Sequence, residues 1–423
     1  MEPRWFILAD DLTGAADTAS AFARRRLPAT VVWGDETADS HADSIALAYD
    51  AGTRELDAME AARRHREALH RFLRPGMHVY KKIDSTLRGH PAEEIAAMLD
   101  VILAQQGDAR VVLTTAFPAL RRTVRDGLVH VHGIALPFTE FWPEERDPEL
   151  ANLVNMLESA GVYSRLLSLS SVRSDPAALS SALARIATSA GRPAVTVCDA
   201  ETTDDLERIA TASLDAGVTS FVGSAGLAHA LAKWVARNSM RRITTTMCAG
   251  EKRGALVVVG SRASASRAAL SPVLALPNVC GISVESSMLS GDLQSAAHAR
   301  IAQRIAAMLA SGVDVIVDIS QTVAGSGTDA RLVTALASVL APVARQASAL
   351  VVTGGETAAA VLTRAGVSGI RLVDEIEPGI PLGLTLGEIS VPTVTKAGGF
   401  GNEECLKRIV SRLRFIRQTG AVA

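Results

Sequence analysis

The stretch Phe6-Ile7-Leu8-Ala9-Asp10-Asp11-Leu12-Thr13-Gly14-Ala15-Ala16-Asp17-Thr18 decides the fold. Trp5 to Ala9 is an unbroken apolar run, which reads as a buried strand. It ends in two adjacent carboxylates. Thr13-Gly14-Ala15 then turns the chain into a small-residue helical pattern from Ala15 to Arg24. In open α/β sheets, ligands bind where the carboxyl end of a strand meets a helix. One Asp of the pair can cap the helix. That accounts for one carboxylate and leaves the other for ligand work.

Outward from this corner, short apolar strands alternate with longer helical segments. Thr30 to Trp33 and Ser44 to Ala48 read as strands, and Leu56 to Leu73 as a helix. Met77 to Tyr80 leads into Lys81-Lys82-Ile83-Asp84-Ser85-Thr86, and a helix follows from Pro91 to Gln105. Arg110 to Thr114, Ala194 to Asp199 and Ser220 to Gly223 continue the series. Such alternation implies βαβ units and a mainly parallel sheet. One segment differs: Asp126-Gly127 sits between alternating residues from Thr123 to His132, a hairpin signal. His130 and His132 fall on one face of its second strand. A zinc site wants four ligands and no acidic or cysteine partner lies nearby, so these histidines read as a solvated or substrate-facing edge.

A polar, basic, aperiodic stretch covers 237–253, and a second α/β series opens at Ala255. Its strands are Ala255 to Val259, Asp314 to Asp318 and Ala349 to Thr353. Gly-rich corners follow at Pro378 to Gly383 and Lys396 to Gly401. The expected fold class is α/β with two domains, 1–236 and 254–423, joined by a linker at 237–253. Each is a mainly parallel sheet flanked by helices, with the active site in the cleft between them.

The 423 residues are 48% hydrophobic and 21% charged, enough for two large cores. With 43 Lys and Arg against 45 Asp and Glu, no basic stripe points to nucleic acid. Cys198, Cys248, Cys280 and Cys405 are dispersed and form no CxxC pair, so neither a disulfide framework nor a zinc site is indicated. There is no signal-peptide pattern, and no apolar run reaches the roughly 18 residues of a membrane span. The chain reads as a soluble cytoplasmic protein with no nucleic-acid or membrane partner; homo-oligomerisation is left open.

Two kinds of site emerge. The first half collects charge at strand ends: Asp10 and Asp11, then Arg54 after Asp50-Ala51-Gly52-Thr53, then Lys81 to Gly89. Arg and Lys suit a carboxylate and Asp suits hydroxyls, the combination for a polyhydroxylated acid. The second half collects glycines and hydroxyls: Gly260-Ser261, Thr353-Gly354-Gly355-Glu356-Thr357 opening a helix, and Gly398-Gly399-Phe400-Gly401. Backbone N–H groups at a helix start, reached without Cβ hindrance, cradle phosphate. Neither a Walker motif nor a complete dinucleotide fingerprint is present. A hydroxy-acid site and a nucleotide site together point to phosphoryl transfer, with a carboxylate taking the hydroxyl proton and Mg²⁺ on the phosphates.

The blocks ADDLTGAADT, KKIDSTLRG, FPALRRTVRDG, GSAGLA, VVVGSRASASR, TGGETA, EIEPGIPLG and KAGGFG resemble, in order, those of the four-carbon acid sugar kinases. One departure is Arg121, where the family pattern has glycine before Arg122-Thr123. The resemblance implies a sugar-acid-binding domain, then a nucleotide-binding domain, and ATP-dependent phosphorylation of the terminal hydroxyl of a four-carbon sugar acid. D-threonate, giving 4-phospho-D-threonate and ADP, is the nearest fit; 3-oxo-tetronate and erythronate are alternatives, as is a nucleotide-regulated sugar-acid-binding protein without catalysis. Substrate contacts are implied at Asp10, Asp11, Arg54, Lys82, Ile83, Asp84 and Ser85. ATP contacts are implied at Ser261, Gly354, Gly355, Glu356, Thr357, Gly398 and Gly399. The expected proton acceptor is Asp11 ahead of Asp10, with Asp84 competing; Mg²⁺ ligands are not assigned.

Overall fold

The computed structural model describes residues 4–36, 41, 43–106, 110–185, 195–243, 247, 253–289, 296–320 and 330–421. The chain divides into two compact units, one of Met1–Ala29 with Asp35–Arg242, the other of Thr30–Gly34 with Ile243–Ala423.

In the first unit, β1 (Trp5–Ala9) is followed by helix α1 (Leu12–Ala23), and the chain returns through β2 (Ala29–Trp33) to β3 (Ala46–Asp50). Helix α2 (Ala58–Phe72), β4 (His78–Lys82), α3 (Pro91–Gln106) and β5 (Val111–Thr114) come next. A three-stranded antiparallel ribbon of β6 (Arg122–Arg125), β7 (Leu128–Val131) and β8 (Ile134–Ala135) interrupts the alternation. Then come β9 (Ser164–Leu167), β10 (Val195–Cys198) and β11 (Ser220–Gly223). The main sheet runs β3-β1-β4-β11-β5-β10-β9, with every neighbouring pair parallel. A parallel sheet covered on both faces needs strands that are apolar throughout, and all five residues of β1 are fully buried. Ala9 lies opposite Asp50, Leu8 opposite Lys81, and Lys82 opposite Gly223. The carboxyl ends of β3, β1, β4 and β11 therefore share one edge.

The ribbon turns at Asp126 and Gly127, both at positive φ (51° and 74°), as a two-residue hairpin requires. The Asp199 carboxylate accepts both turn N–H groups, at 3.0 and 2.9 Å. His130 is in β7, but His132 lies beyond it with φ of 53°, so the pair does not share a strand face.

The second unit contains β12 (Leu256–Val259), β13 (Val279–Glu285), β14 (Asp314–Ser320), β15 (Leu350–Thr353), β16 (Val367–Glu377), β17 (Ile380–Gly387) and β18 (Pro392–Lys396). The order β13-β14-β12-β15-β18 is parallel throughout, and β17 and β16 add an antiparallel edge. Residues Thr30–Gly34 join this unit, with β2 beside β16. Trp33 Nε1 donates to Thr363 Oγ1 at 2.7 Å. The C-terminal helix Cys405–Thr419 buries Leu406, Ile409, Val410, Leu413 and Ile416 against the sheet. It is stapled by buried Asp314, which accepts from Arg414 at 2.7 Å, Arg417 at 3.0 Å and the Ala255 N–H at 2.7 Å.

Three boundaries differ from expectation. Helix α1 starts at Leu12 rather than Ala15, because Asp11 caps it and Thr13 and Gly14 fall inside its first turn. β3 ends at Asp50 rather than Ala48, which makes Asp50 a strand residue. Pro378-Gly379 is the tip of a hairpin, and Ile380 onward is strand; Gly379 at φ 84° makes the reversal. Of the expected linker, 244–246 and 248–252 lie outside the described residues, and so do Cys248 and Ala194. The three described cysteines are free thiols. Among the described residues, no helix is long and apolar enough to cross a membrane.

Candidate active site

The shared edge of the first unit gathers the predicted charges. Asp11 has extended backbone (φ −146°, ψ 157°) and takes the N-cap position of α1, its Oδ1 accepting the Gly14 N–H at 2.9 Å. Its Oδ2 accepts from Thr13 Oγ1 at 2.6 Å and from Arg54 Nη1 at 2.7 Å. Asp10 receives Arg54 from two sides, Nε to Oδ2 at 2.7 Å and Nη2 to Oδ1 at 2.9 Å. Thr53 and Arg54 both donate their N–H to Asp10 O, so the loop after β3 is fastened to the loop after β1.

The two lysines of β4 point to opposite faces, as successive strand residues do. Lys81 is fully buried and ion-paired to Glu94 on α3 at 2.8 Å, and Glu94 also accepts from Thr53 Oγ1 at 3.0 Å. Lys82 lies on the other face. A Cβ placed on Gly14 would stand 3.1 Å from Lys82 Nζ and 2.5 Å from Asp11 Oδ1, so glycine is what lets helix, lysine and carboxylate converge. Lys82 is 5% exposed, yet among the described residues its ammonium has neither an ion pair nor a hydrogen bond. Ile83 is buried and its N–H continues the ladder to Gly223 O at 2.9 Å. Asp84 accepts from Arg88 at 2.8 and 3.1 Å, from the Thr86 N–H at 3.0 Å and from the Thr86 hydroxyl. Ser85 Oγ accepts from Arg122 of β6.

These contacts set the charge states. Burial alone would raise Asp10, but Arg54, Lys81 and Lys82 outweigh it and hold the carboxyl below its usual range. Asp84 is held well down, its burial overcome by Arg88, Arg54 and Lys82. Burial works against the Arg54 cation, but Asp10, Asp11 and Asp84 keep its pKa above the usual value. Asp50 goes the other way. Burial first, then the neighbouring Asp11 charge, push it up to about 7 against the Gly52 N–H bond and Arg54. Asp50, Glu94 and Arg122 belong to this cluster without standing out in the sequence. Each reaches it through strand pairing or helix packing between residues distant in the chain; the one local signal was that Asp50, like Asp10, closes an apolar run.

In the second unit the predicted positions also converge. Gly354 (φ 93°) precedes the helix Gly355–Arg364, which has no side-chain cap. Its N–H bonds Lys396 O at 2.8 Å, tying the ends of β15 and β18 together. A Cβ on Gly398 would overlap Ser261 Oγ, and one on Gly260 would overlap Thr357. Gly399 faces open space and Glu356 is exposed. Lys396, fully buried, donates to Ser266 Oγ at 3.0 Å and to the carbonyls of Ala397, Gly398 and Phe400 at 3.1, 3.2 and 2.7 Å. Burial lowers its pKa to about 8. It thus organises the glycine loop from within. A cavity of about 250 Å³ opens beside Gly260 and Ser261, lined also by Val259, Arg262, Arg267 and Ile319. Buried Thr353 Oγ1, at the end of β15, has no hydrogen-bond partner among the described residues. A helix start free of side-chain caps, crowded glycines and an orphaned hydroxyl fit a phosphate chain.

Comparison with known proteins bears on both halves. A sugar-binding N-terminal domain matches residues 5–231, and a nucleotide-binding C-terminal domain matches 256–406. A D-threonate kinase of Cupriavidus necator is 35% identical over 410 residues, covering 95% of this chain and 96% of that one. A D-threonate kinase of Bordetella bronchiseptica is 33% identical over 98% of both. Further relatives are named 3-oxo-tetronate kinase and D-erythronate kinase. A crystal structure from Salmonella typhimurium LT2 superimposes with a TM-score of 0.79 at 23% identity, over 96% of this chain and 98% of that one, which is a likeness of fold.

Proposed function

This chain belongs to the four-carbon acid sugar kinases, and from that premise we propose that it transfers the γ-phosphoryl group of ATP to the 4-hydroxyl of D-threonate, giving 4-phospho-D-threonate and ADP. The observation that carries the acid substrate is Lys82, a residue 5% exposed whose ammonium has no bonded partner among the described residues, beside Asp10, Asp11 and Asp84. An ammonium with no hydrogen bond of its own keeps its donors available for the charge-assisted hydrogen bonds that a carboxylate accepts. The names of the two relatives above 30% identity support D-threonate.

In this reading 1–236 binds the sugar acid, 254–423 binds the nucleotide and 237–253 joins them. Lys82 and the unused N–H groups of Arg54 hold the carboxylate. Asp10, Asp11 and Asp84, already fixed by guanidinium groups, hold sugar hydroxyls, with Ser85 and the Ile83-Asp84 backbone shaping the floor. Ser261, Gly354, Gly355, Glu356, Thr357, Gly398 and Gly399 form the ATP phosphate cradle. Mg²⁺ bound with the phosphates would supply neutralisation of the charge developing on them. Asp318, next to Ile319 in the cavity wall, is the carboxylate this chain would bring to it; its Oδ2 accepts from Arg267 at 3.2 Å and Ser283 at 3.3 Å. ATP as donor fits a cytoplasmic protein.

Phosphorus NMR of the product tests the position of transfer. A phosphate on the terminal CH₂ couples to two protons and gives a triplet. A doublet would place it on a secondary hydroxyl and contradict this reading.

A further inference from the structure

Asp50 closes β3 in register with Ala9, directly beside the Asp10-Asp11 corner. It is 6% exposed, between Asp10 at 2% and Asp11 at 8%. Its Oδ1 accepts the Gly52 N–H at 2.8 Å. Among the described residues its second oxygen accepts nothing. A general base needs an open lone pair and an affinity for the proton near working pH. The other three aspartates of this edge are engaged. Asp11 caps α1 and accepts from Thr13 and Arg54, Asp10 is gripped at both oxygens by Arg54, and Asp84 is gripped by Arg88 and Thr86.

Resting on the kinase reading above, we propose that Asp50 is the proton acceptor for the attacking hydroxyl, in place of Asp11. As the hydroxyl oxygen forms its bond to Pγ, the bond from Pγ to the β,γ-bridging oxygen breaks. ADP leaves with that electron pair, and the hydroxyl proton passes to the Asp50 carboxylate. The charged groups acting on Asp50 are Asp11 and Asp10 from the β1 corner and Arg54 from its own loop. The remaining acid of α1, Asp17, acts on Tyr80. Burial first, then the negative neighbours Asp11 and Asp10, raise the proton affinity of Asp50, while Arg54 helps hold Asp10 down.

The test is a coupled ADP-release assay on the full chain with D-threonate and ATP from pH 5.5 to 9, for wild type, Asp50→Asn and Asp11→Asn. Absence of D-threonate-dependent ADP release in the wild type would defeat the kinase reading itself. Given that activity, the proposal expects wild-type kcat/KM to fall below about pH 7. It expects Asp50→Asn to lower kcat by about 10² to 10⁴ and to lose that acidic limb. D-threonate KM should stay within about threefold. A wild-type profile flat down to pH 5.5 overturns the proposal whether or not the variant folds. So does an Asp50→Asn enzyme with wild-type kcat, or an Asp11→Asn enzyme whose acidic limb does not move to lower pH, since the Asp11 charge raises Asp50.

Discussion

Arg54 meets Asp10 through two parallel hydrogen bonds, Nε to Oδ2 at 2.7 Å and Nη2 to Oδ1 at 2.9 Å, with the Asp10 side chain buried and that of Arg54 only 13% exposed. This pair joins the loops after β1 and β3 and sets the charge of the whole edge. Breaking one partner of a buried pair costs about 3–5 kcal/mol, because the other is left uncompensated. Arg54→Gln is therefore expected to lose about that much stability at pH 7 in urea unfolding. Asp10 is depressed in the fold, so its contribution is present above the unfolded value of 3.8 and is lost as pH falls below it. The gap between wild type and variant should narrow below pH 4; a gap constant with pH would contradict the pairing.

Lys82→Met separates binding from folding. Charge-assisted hydrogen bonds contribute about 1.5–3 kcal/mol, so the D-threonate KM should rise by about 10- to 150-fold, with little change in the KM for ATP. The lysine has no hydrogen bond to abandon among the described residues, but its charge helps hold Asp10 and Asp84 ionised, so a modest loss of thermal stability accompanies the loss of affinity. Loss of stability without loss of D-threonate affinity would make Lys82 a packing residue.

Much of this was written in the sequence. Val-, Ile- and Leu-rich runs marked the strands, and acids or glycines directly after them marked the two binding edges. The departure at Arg121 gains a physical reason: its φ is 54°, a left-handed conformation that glycine adopts without strain. What stayed hidden depends on distant partners. Thr30 to Trp33 read as a strand, but nothing local says that it lies beside β16 in the second unit. The lysines 81 and 82 look equivalent until α3 supplies Glu94 to one of them. Asp50 reads as a lead-in to Arg54; its proton affinity arises from burial in the sheet first, then from Asp11 and Asp10 across the β1–β3 pairing.

Gly398→Val probes the nucleotide cradle. The added side chain would collide with Ser261, whose hydroxyl also accepts the Ala263 N–H at 3.2 Å. Calorimetric titration should show ATP binding weakened at least about tenfold, an effect of about 1.4 kcal/mol. D-threonate binding should stay near wild type. Unchanged ATP affinity would move the phosphate site elsewhere.

Asp50→Asn has a signature in stability as well as rate. A carboxyl raised from 3.8 in the unfolded chain to about 7 in the fold favours folding below pH 3.8, and that contribution is lost as pH rises to 7. Asparagine removes the titration. The melting temperature of the variant relative to wild type should therefore climb between pH 4 and pH 8, then level off. A difference that does not vary with pH would mean that Asp50 titrates like an exposed acid.

The most direct measurement is ATP-dependent ADP release by the purified protein across a panel of four-carbon acids: D- and L-threonate, D- and L-erythronate, and a 3-oxo-tetronate. The account predicts turnover dependent on ATP and highest in kcat/KM for D-threonate. Preference for another acid of the panel would contradict the substrate assignment, and no ADP release with any of them would contradict the claim that this chain is a four-carbon acid sugar kinase.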